Sequence, residues 1–433
     1  MLERELVGPG AFKDELSALG DEGRHAFFSK AMRHVSVRRK EADLPVVVVV
    51  SRKTSSIVNC YGVLSNPDKG SLVLEFAESE GLQVEMQLPS LGFIRDKAGC
   101  LHRLDDLPDD LHVPGDFRVP RNSVRRWPRR LVVDGELSVP AMTGDFCDEI
   151  VVGGRLSVAG ASISEFPRRT VVGGDVFATY SSITRIRGDE DFSGSLILSD
   201  SDLESLPDNF HVKGTLMVSR TRLRDLPAGL VVHGNLSCRG NDIEVLPDDI
   251  SVSGGIWLAD SKFTRLPTGL KCGGLDISRT AISILPEDTH IRGHLEARES
   301  ALAKISGRCV VEQEMELSHS LVTTLPADLT AGGSVDLTHT PVVSIPDGLR
   351  VDGDLLLPWT PIRSLPASLF VSGKLDLRYT AMTKVDIPES IEVLGYIYIN
   401  DWAAQRRPRK RWSLSGIVRS LFARGSRDEV VRS

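Results

Sequence analysis

From Leu107 almost to the end of the chain, apolar residues recur on a period of about twenty residues. Three consecutive copies are LPDNFHVKGTLMVSRTRLRD from Leu206, LPAGLVVHGNLSCRGNDIEV from Leu226 and LPDDISVSGGIWLADSKFTR from Leu246. They share the frame L-P-x-x-L-x-V-x-G-x-L-x-L-x-x-T-x-I-x-x. Inside each copy the apolar slots alternate, as at Val212, Leu216 and Val218, and period two is the signature of a strand. The Gly before the second apolar pair (Gly214, Gly234, Gly254, Gly353, Gly373) is expected at a tight bend between two short strands. Pro in the second slot belongs at a corner, where a missing N–H costs the ladder nothing. A fixed period of this size predicts a mainly β chain. Residues 107–402 are expected to form a parallel β-solenoid of about fifteen coils, each burying its apolar side against its neighbours.

One polar slot also repeats. It holds Ser201, Thr221, Asn241, Ser261, Thr280, Ser300, Ser320, Thr340, Thr360 and Thr380. Stacked on successive coils, these groups are expected to bond to backbone at a buried corner.

The first 106 residues show no repeat. Helix-like spacing runs through Ala11–Ala42, carried by Phe12, Leu16, Leu19, Phe27, Phe28, Met32 and Val35. Strand-like runs follow at Val46–Val50, Ser56–Leu64 and Ser71–Phe76, the last two flanking SNPDKG and read as a hairpin. A small α+β domain that also caps the first coil is the expectation. Beyond the coils, residues 403–433 read as a basic amphipathic tail.

The repeats resemble a known family. LSCRGNDI at Leu236–Ile243 fits the leucine-rich-repeat core L-x-L-x-x-N-x-L, with Cys238 and Asn241 in place. The L-P opening and short period resemble the leucine-rich repeats of bacterial type III secreted effectors, over roughly Leu107–Asn400. Two features depart from that family. Thr or Ser usually replaces the Asn, and a V-x-G segment replaces a Leu, so a parallel β-helix is the alternative cross-section. Some such effectors carry a ubiquitin-ligase domain with a C-x-D motif, but none of the six cysteines here is followed by x-D. The resemblance implies a non-enzymatic, protein-binding scaffold of bacterial origin acting at a host interface.

Composition changes the picture in three places. The chain has 433 residues, 41% hydrophobic and only 6% aromatic, which suits coils of Leu, Val and Ile. No run approaches the roughly 18 apolar residues of a bilayer span, and MLERELVGPGAFKDEL has no h-region of a cleavable leader. Cys238, Cys272 and Cys309 occupy slots that are Leu, Val or Ile elsewhere, so they read as small buried hydrophobes. With no C-x-x-C and no pairing pattern, a cytoplasmic setting is expected, or secretion into a host cell without a leader.

There is no P-loop, G-x-S-x-G or H-E-x-x-H, and no cofactor, metal or small-molecule substrate is implied. An enzyme seated within Met1–Asp106 and targeted by the solenoid is one alternative class. A self-assembling structural solenoid is another.

Function is sought on the coil surface. The outward slot between the two strand leucines defines a column: Phe177, Ile197, Met217, Ser237, Trp257, Asp276, Glu296, Glu316, Asp336, Leu356 and Asp376. Its first part is apolar and its second acidic, suggesting a protein partner with basic chemistry on the acidic half. A second column near the turn holds Arg220, Asp260, Glu299, His319, His339, Trp359 and Tyr379. Its variety against a uniform core marks Trp359 and Tyr379 as contact residues. His319 and His339 lack a third ligand and read as solvated side chains. Five arginines lie within Val119–Arg130 and are read as a charged, soluble corner. In the tail, Arg406, Arg407, Arg409, Lys410, Arg411 and Trp412 are candidates for an anionic membrane surface or nucleic acid.

Overall fold

A computed structural model describes residues 3–6, 32–38, 46–51, 53–61, 63, 66–84, 87–142 and 146–400. The tail residues Arg406 to Trp412, and most of the helix-like stretch Ala11–Ala42, lie outside the described residues. The chain divides into two compact units, Met1–Leu196 and Ile197–Ser433.

The first unit opens with a five-stranded sheet of β1 (Glu3–Leu6), β2 (Met32–Arg38), β3 (Val46–Ser51), β4 (Ser56–Tyr61) and β5 (Gln83–Val84), in that order. Neighbours are antiparallel from β1 to β4, and β5 joins β4 in parallel. The valine run of β3 is buried throughout. Two expectations fail here. Met32 and Val35 lie in a strand, because Val35 and Val37 alternate into the same core. SNPDKG starts a helix, α1 (Pro67–Glu80), and Ser71–Phe76 is helical. The Asn66 side chain accepts from the amides of Asp68 and Lys69 at 2.9 and 3.4 Å, and Pro67 fills the first turn. That pairing of cap and proline favours helix over hairpin. Leu72, Val73, Phe76 and Ala77 then pack on the valines. Gly70 has no alternative, since a Cβ there would stand 1.9 Å from the Leu91 carbonyl oxygen.

Coils follow in the same unit. One parallel ladder comprises Asp110–Val113, Arg130–Val133, Glu149–Val152, Arg169–Val172 and Asp191–Phe192. A second comprises Phe117–Arg118, Leu137–Ser138, Leu156–Ser157 and Val176–Phe177.

The second unit repeats the plan. Ten strands from Leu216–Met217 to Ile397–Ile399 pair in parallel, with Leu216 beside Leu236, Leu236 beside Ile256 and Leu295 beside Met315. The V-x-G segment supplies a strand of its own in each coil, as in His211–Val212 beside Val231–Val232 and Lys271–Cys272 beside His290–Ile291. Some coils add a third contact, such as Ile284–Leu285 beside Lys304–Ile305. The chain is therefore mainly β and forms a parallel β-solenoid of about fourteen turns with two short strands per coil.

Inward slots are filled as the pattern requires. Leu236, Cys238, Leu295, Leu317, Leu337 and Leu357 are fully buried. Burial raises the Cys272 and Cys309 thiols to about 12, so they are inert hydrophobes at neutral pH. The glycines sit at the expected bend between the two strands, but left-handed backbone is not the reason for them. Gly234, Gly254 and Gly373 do not lie at positive φ; a Cβ on each would meet the preceding coil's backbone at 2.6 or 2.7 Å. They are demanded by coil-on-coil approach.

Candidate partner-binding face

Coils of the second unit turn after their second strand over four residues, from a buried apolar residue to a Ser, Thr or Asn, as in Leu337–Thr340. The third residue is left-handed: φ is 53° at Arg220, 61° at Asp260, 54° at Arg279, 52° at Glu299, 59° at His319, 58° at His339, 61° at Trp359 and 63° at Tyr379. The hydroxyl slot closes the turn as the sequence pattern requires. Thr340, Thr360 and Thr380 donate through Oγ1 to the carbonyls of Leu337, Leu357 and Leu377 at 2.6, 2.7 and 2.7 Å. Asn241 instead bridges two coils: its amide donates to the Val218 carbonyl of the preceding coil at 2.8 Å, and its Oδ1 accepts from the Thr221 amide at 3.0 Å. The buried Ser320 hydroxyl makes no such bond.

The left-handed residue is also tied to the following coil. The amides of His319, His339 and Trp359 donate to the carbonyls of Thr338, Pro358 and Arg378 at 2.9, 2.9 and 3.3 Å. Backbone alone therefore sets these side chains one above another.

In the last coils those side chains are rings, and they stack. The His319 and His339 centroids are 4.5 Å apart with planes inclined by 16°. His339 to Trp359 is 5.3 Å at 7°, and Trp359 to Tyr379 is 4.3 Å at 8°. Trp359 and Tyr379 are each 52% exposed, and both histidines are exposed. Neighbours cover the ring faces inside the stack, so the outward surface is a row of ring edges. That row carries imidazole nitrogens, an indole N–H and a phenol O–H.

A bulky residue at positive φ costs on the order of 1–2 kcal/mol, and each aromatic pair returns about 0.5–1.5 kcal/mol. The two effects nearly offset. Gly160 and Gly240, at φ 69° and 67°, fill the same corner without that penalty. Folding alone does not call for rings here.

The outward strand column runs beside the stack, and the structure sorts its members. Glu296, Glu316, Asp336 and Leu356 are half-buried and face outward. Asp336 accepts from the Thr338 amide at 2.8 Å. Glu316 accepts from the Ser318 amide at 3.3 Å and from Arg298 Nη2 at 3.2 Å.

Asp276 and Asp376 are not outward contacts. They are 2% and 3% exposed, because arginines close over them. Arg239 Nη2 reaches Asp276 Oδ2 at 2.5 Å, and Arg378 Nη2 reaches Asp376 Oδ2 at 2.6 Å. The apolar half is also covered in part. The Trp257 indole lies against Gly255 and Gly274, where a Cβ on Gly255 would stand 2.4 Å from the ring. Ile197 and Met217 are half-buried. In the first unit, Phe177 is half-buried with the Arg155 guanidinium 5.1 Å above its ring.

No protein family matches the chain, and no curated protein matches its sequence. Among solved structures the chain is similar to YopM, a leucine-rich effector protein from Yersinia pestis. Identity is 14% over 59% of this chain and 83% of that one, with a TM-score of 0.29. It is similar also to YopM from Yersinia enterocolitica WA-314, at 16% identity over 66% and 78% of the two chains and a TM-score of 0.29.

Other surfaces offer less. The arginines of Val119–Arg130 are partly neutralised in the first unit, Arg126 by Asp109 and Arg130 by Asp110 and Glu149. Among the described residues no three His, Cys, Asp or Glu groups come together to hold a metal, and no helix is long and apolar enough to cross a membrane. The pattern had marked Trp359 and Tyr379 but left His319 and His339 as separate solvated groups. The available signal was the spacing of twenty residues joining all four.

Proposed function

We propose that this chain is a non-enzymatic interaction scaffold whose second unit binds a protein partner between the ring stack His319–Tyr379 and the outward column Glu296, Glu316, Asp336 and Leu356. The observation that carries this reading is the stack itself: exposed rings held at a corner where glycine is conformationally cheaper. Exposed aromatic side chains on a rigid backbone are the usual anchors of protein recognition. The test places a photo-crosslinking amino acid at Leu356 of the full chain. A discrete adduct is expected from there and not from Val343, an exposed position outside the face. Combining Trp359→Ala and Tyr379→Ala should abolish the adduct; an undiminished adduct in that variant overturns the reading.

The L-P repeats and six free cysteines also support a bacterial effector that works in a reducing cytoplasm, its own or a host's. A translocation reporter fused to the full chain would register entry into co-cultured host cells, and no signal above that of a secretion-deficient strain counts against this.

A further inference from the structure

A solenoid of closely similar coils carries an ambiguity that its core cannot resolve. Sliding one coil past its neighbour by a whole repeat returns every apolar side chain to an inward slot. Burial alone therefore does not decide which coil follows which. Looping out one repeat of about twenty residues also costs little in chain entropy. Pairing with the next coil but one is the mistake such a chain can make while it folds.

In the first unit an exposed corner tells neighbours apart. The third and fourth slots of successive repeats hold Asp109 and Asp110, Arg129 and Arg130, Asp148 and Glu149, then Arg168 and Arg169. The sign reverses at every coil. The parallel register sets Arg130 beside Asp110 on one side and Glu149 on the other, and Glu149 beside Arg169. The side chains meet across those rungs. Arg130 reaches Asp110 at 3.3 Å and Glu149 at 3.1 Å, and Arg169 reaches Glu149 at 3.5 Å.

Skipping one coil would replace each of these contacts by its opposite. Asp109 and Asp110 would face Asp148 and Glu149, and Arg129 and Arg130 would face Arg168 and Arg169, one rung of about 4.8 Å away. The native pairs are exposed, so each contributes little to the finished fold. Their weight falls on the choice between two pairings with equivalent apolar faces, where attraction on one side is set against repulsion on the other.

A separate column does the same in the second unit. The slot after the hydroxyl turn holds Asp202, Arg222, Asp242 and Lys262. Arg222 meets Asp202 at 2.9 Å and Lys262 meets Asp242 at 2.8 Å. Two slots on, Glu204, Arg224 and Glu244 alternate in the same phase. The third slot has lost its alternation there, with Asp208, Ala228 and Asp248 in sequence.

We propose that these alternating columns are register locks, which make a coil accept its sequence neighbour and reject the next but one. The order of signs matters, and the identity of the charged residue does not.

The test traps the pairing chosen during refolding. Val132, Val151 and Val171 stand on successive rungs and none is buried. Cysteines one rung apart, at about 4.8 Å, can be bridged, whereas two rungs, about 10 Å, exceed the ~7 Å limit of a disulfide. The full chain carrying Cys60→Ser and Cys100→Ser is refolded from urea with oxidised glutathione, and disulfides are read by mass spectrometry. Val132→Cys with Val151→Cys should bridge. Val132→Cys with Val171→Cys should bridge only in trace. Replacing Arg129, Arg130, Arg168 and Arg169 with Gln should raise the 132–171 bond roughly tenfold, as expected for removing two like-charge pairs at that spacing. Exchanging signs throughout, with those four arginines as Asp and with Asp109, Asp110, Asp148 and Glu149 as Arg, should return the bond to the parent level.

An unchanged 132–171 yield in the neutralised chain overturns the proposal. So does a raised yield in the sign-exchanged chain. The urea midpoint of the neutralised chain should move little, because exposed pairs contribute little to the folded state. A large fall in midpoint without the 132–171 bond would make the columns a source of stability, with no part in choosing the register.

Discussion

Two stretches of one corner column in the second unit share their backbone and differ in what stands on it. In the earlier stretch, Arg220 forks onto Asp200 at 2.7 and 2.8 Å, and Arg279 forks onto Asp260. In the later stretch His319, His339, Trp359 and Tyr379 form the ring stack. Both stretches carry the left-handed residue, the interlocking amide and the closing hydroxyl. The backbone is the constant and the surface is the variable. Where the surface is ion-paired with itself it has little left to offer a partner. Where it is a row of ring edges, its donors point outward without internal partners of comparable strength. The proposed binding face lies on the later stretch for that reason.

The comparison breaks first in the core. If the corners are equivalent, Ile277→Ala and Leu337→Ala, both fully buried, should each cost about 2–5 kcal/mol in denaturant unfolding. A gap larger than that range would show that one stretch rests on a different foundation. One level up, Thr340→Val should cost roughly 0.5–1.5 kcal/mol, since it removes one buried hydrogen bond to Leu337 while the Thr340 amide still donates to that carbonyl at 3.1 Å. Thr280→Val, which loses the equivalent bond to Ile277, should match it.

A smaller effect sharpens the functional claim. Trp359→Gly relieves a positive φ worth on the order of 1–2 kcal/mol and loses two stacking contacts worth about 0.5–1.5 kcal/mol each. Its stability should therefore fall by no more than about 2 kcal/mol, read by the same unfolding experiment, while the adduct from Leu356 is lost. A large loss of stability would make the stack a structural device and remove the reason for assigning it to a partner.

Much of this was legible in the sequence because a solenoid repeats its physics. The twenty-residue period announced parallel coils, placed Leu236 and Cys238 inside, and put the hydroxyl slot at a buried turn. The period could not show what crosses coils. Asp276 and Arg239 are 37 residues apart, so the burial of an apparently outward carboxylate depends on an arginine two coils away. The glycines do stand at the bends the pattern marks, but a sequence shows a missing side chain and not the neighbouring backbone that excludes it. SNPDKG contains the residues of a turn and of a helix start alike. Packing of Leu72, Val73 and Phe76 on the valine strands decides for the helix. His319, His339, Trp359 and Tyr379 stood at the right spacing, but stacking depends on the left-handed backbone that aims them.

The smallest expected difference between the two stretches is in their response to acid. Arg220 and Arg279 hold the carboxyls of Asp200 and Asp260 below the usual carboxylate range through charged side-chain hydrogen bonds. A depressed folded-state value means that the stabilisation is complete above the unfolded value of ~3.9 and is lost as pH falls through the folded one. Amide hydrogen exchange at Arg220 and Arg279 should thus quicken, relative to the intrinsic rate, only below about pH 4. The Trp359 amide, whose corner holds stacked rings in place of a carboxylate–arginine fork, should keep its protection over the same range. Equal loss at all three amides would mean that the corner opens as one unit and that the forks contribute nothing local.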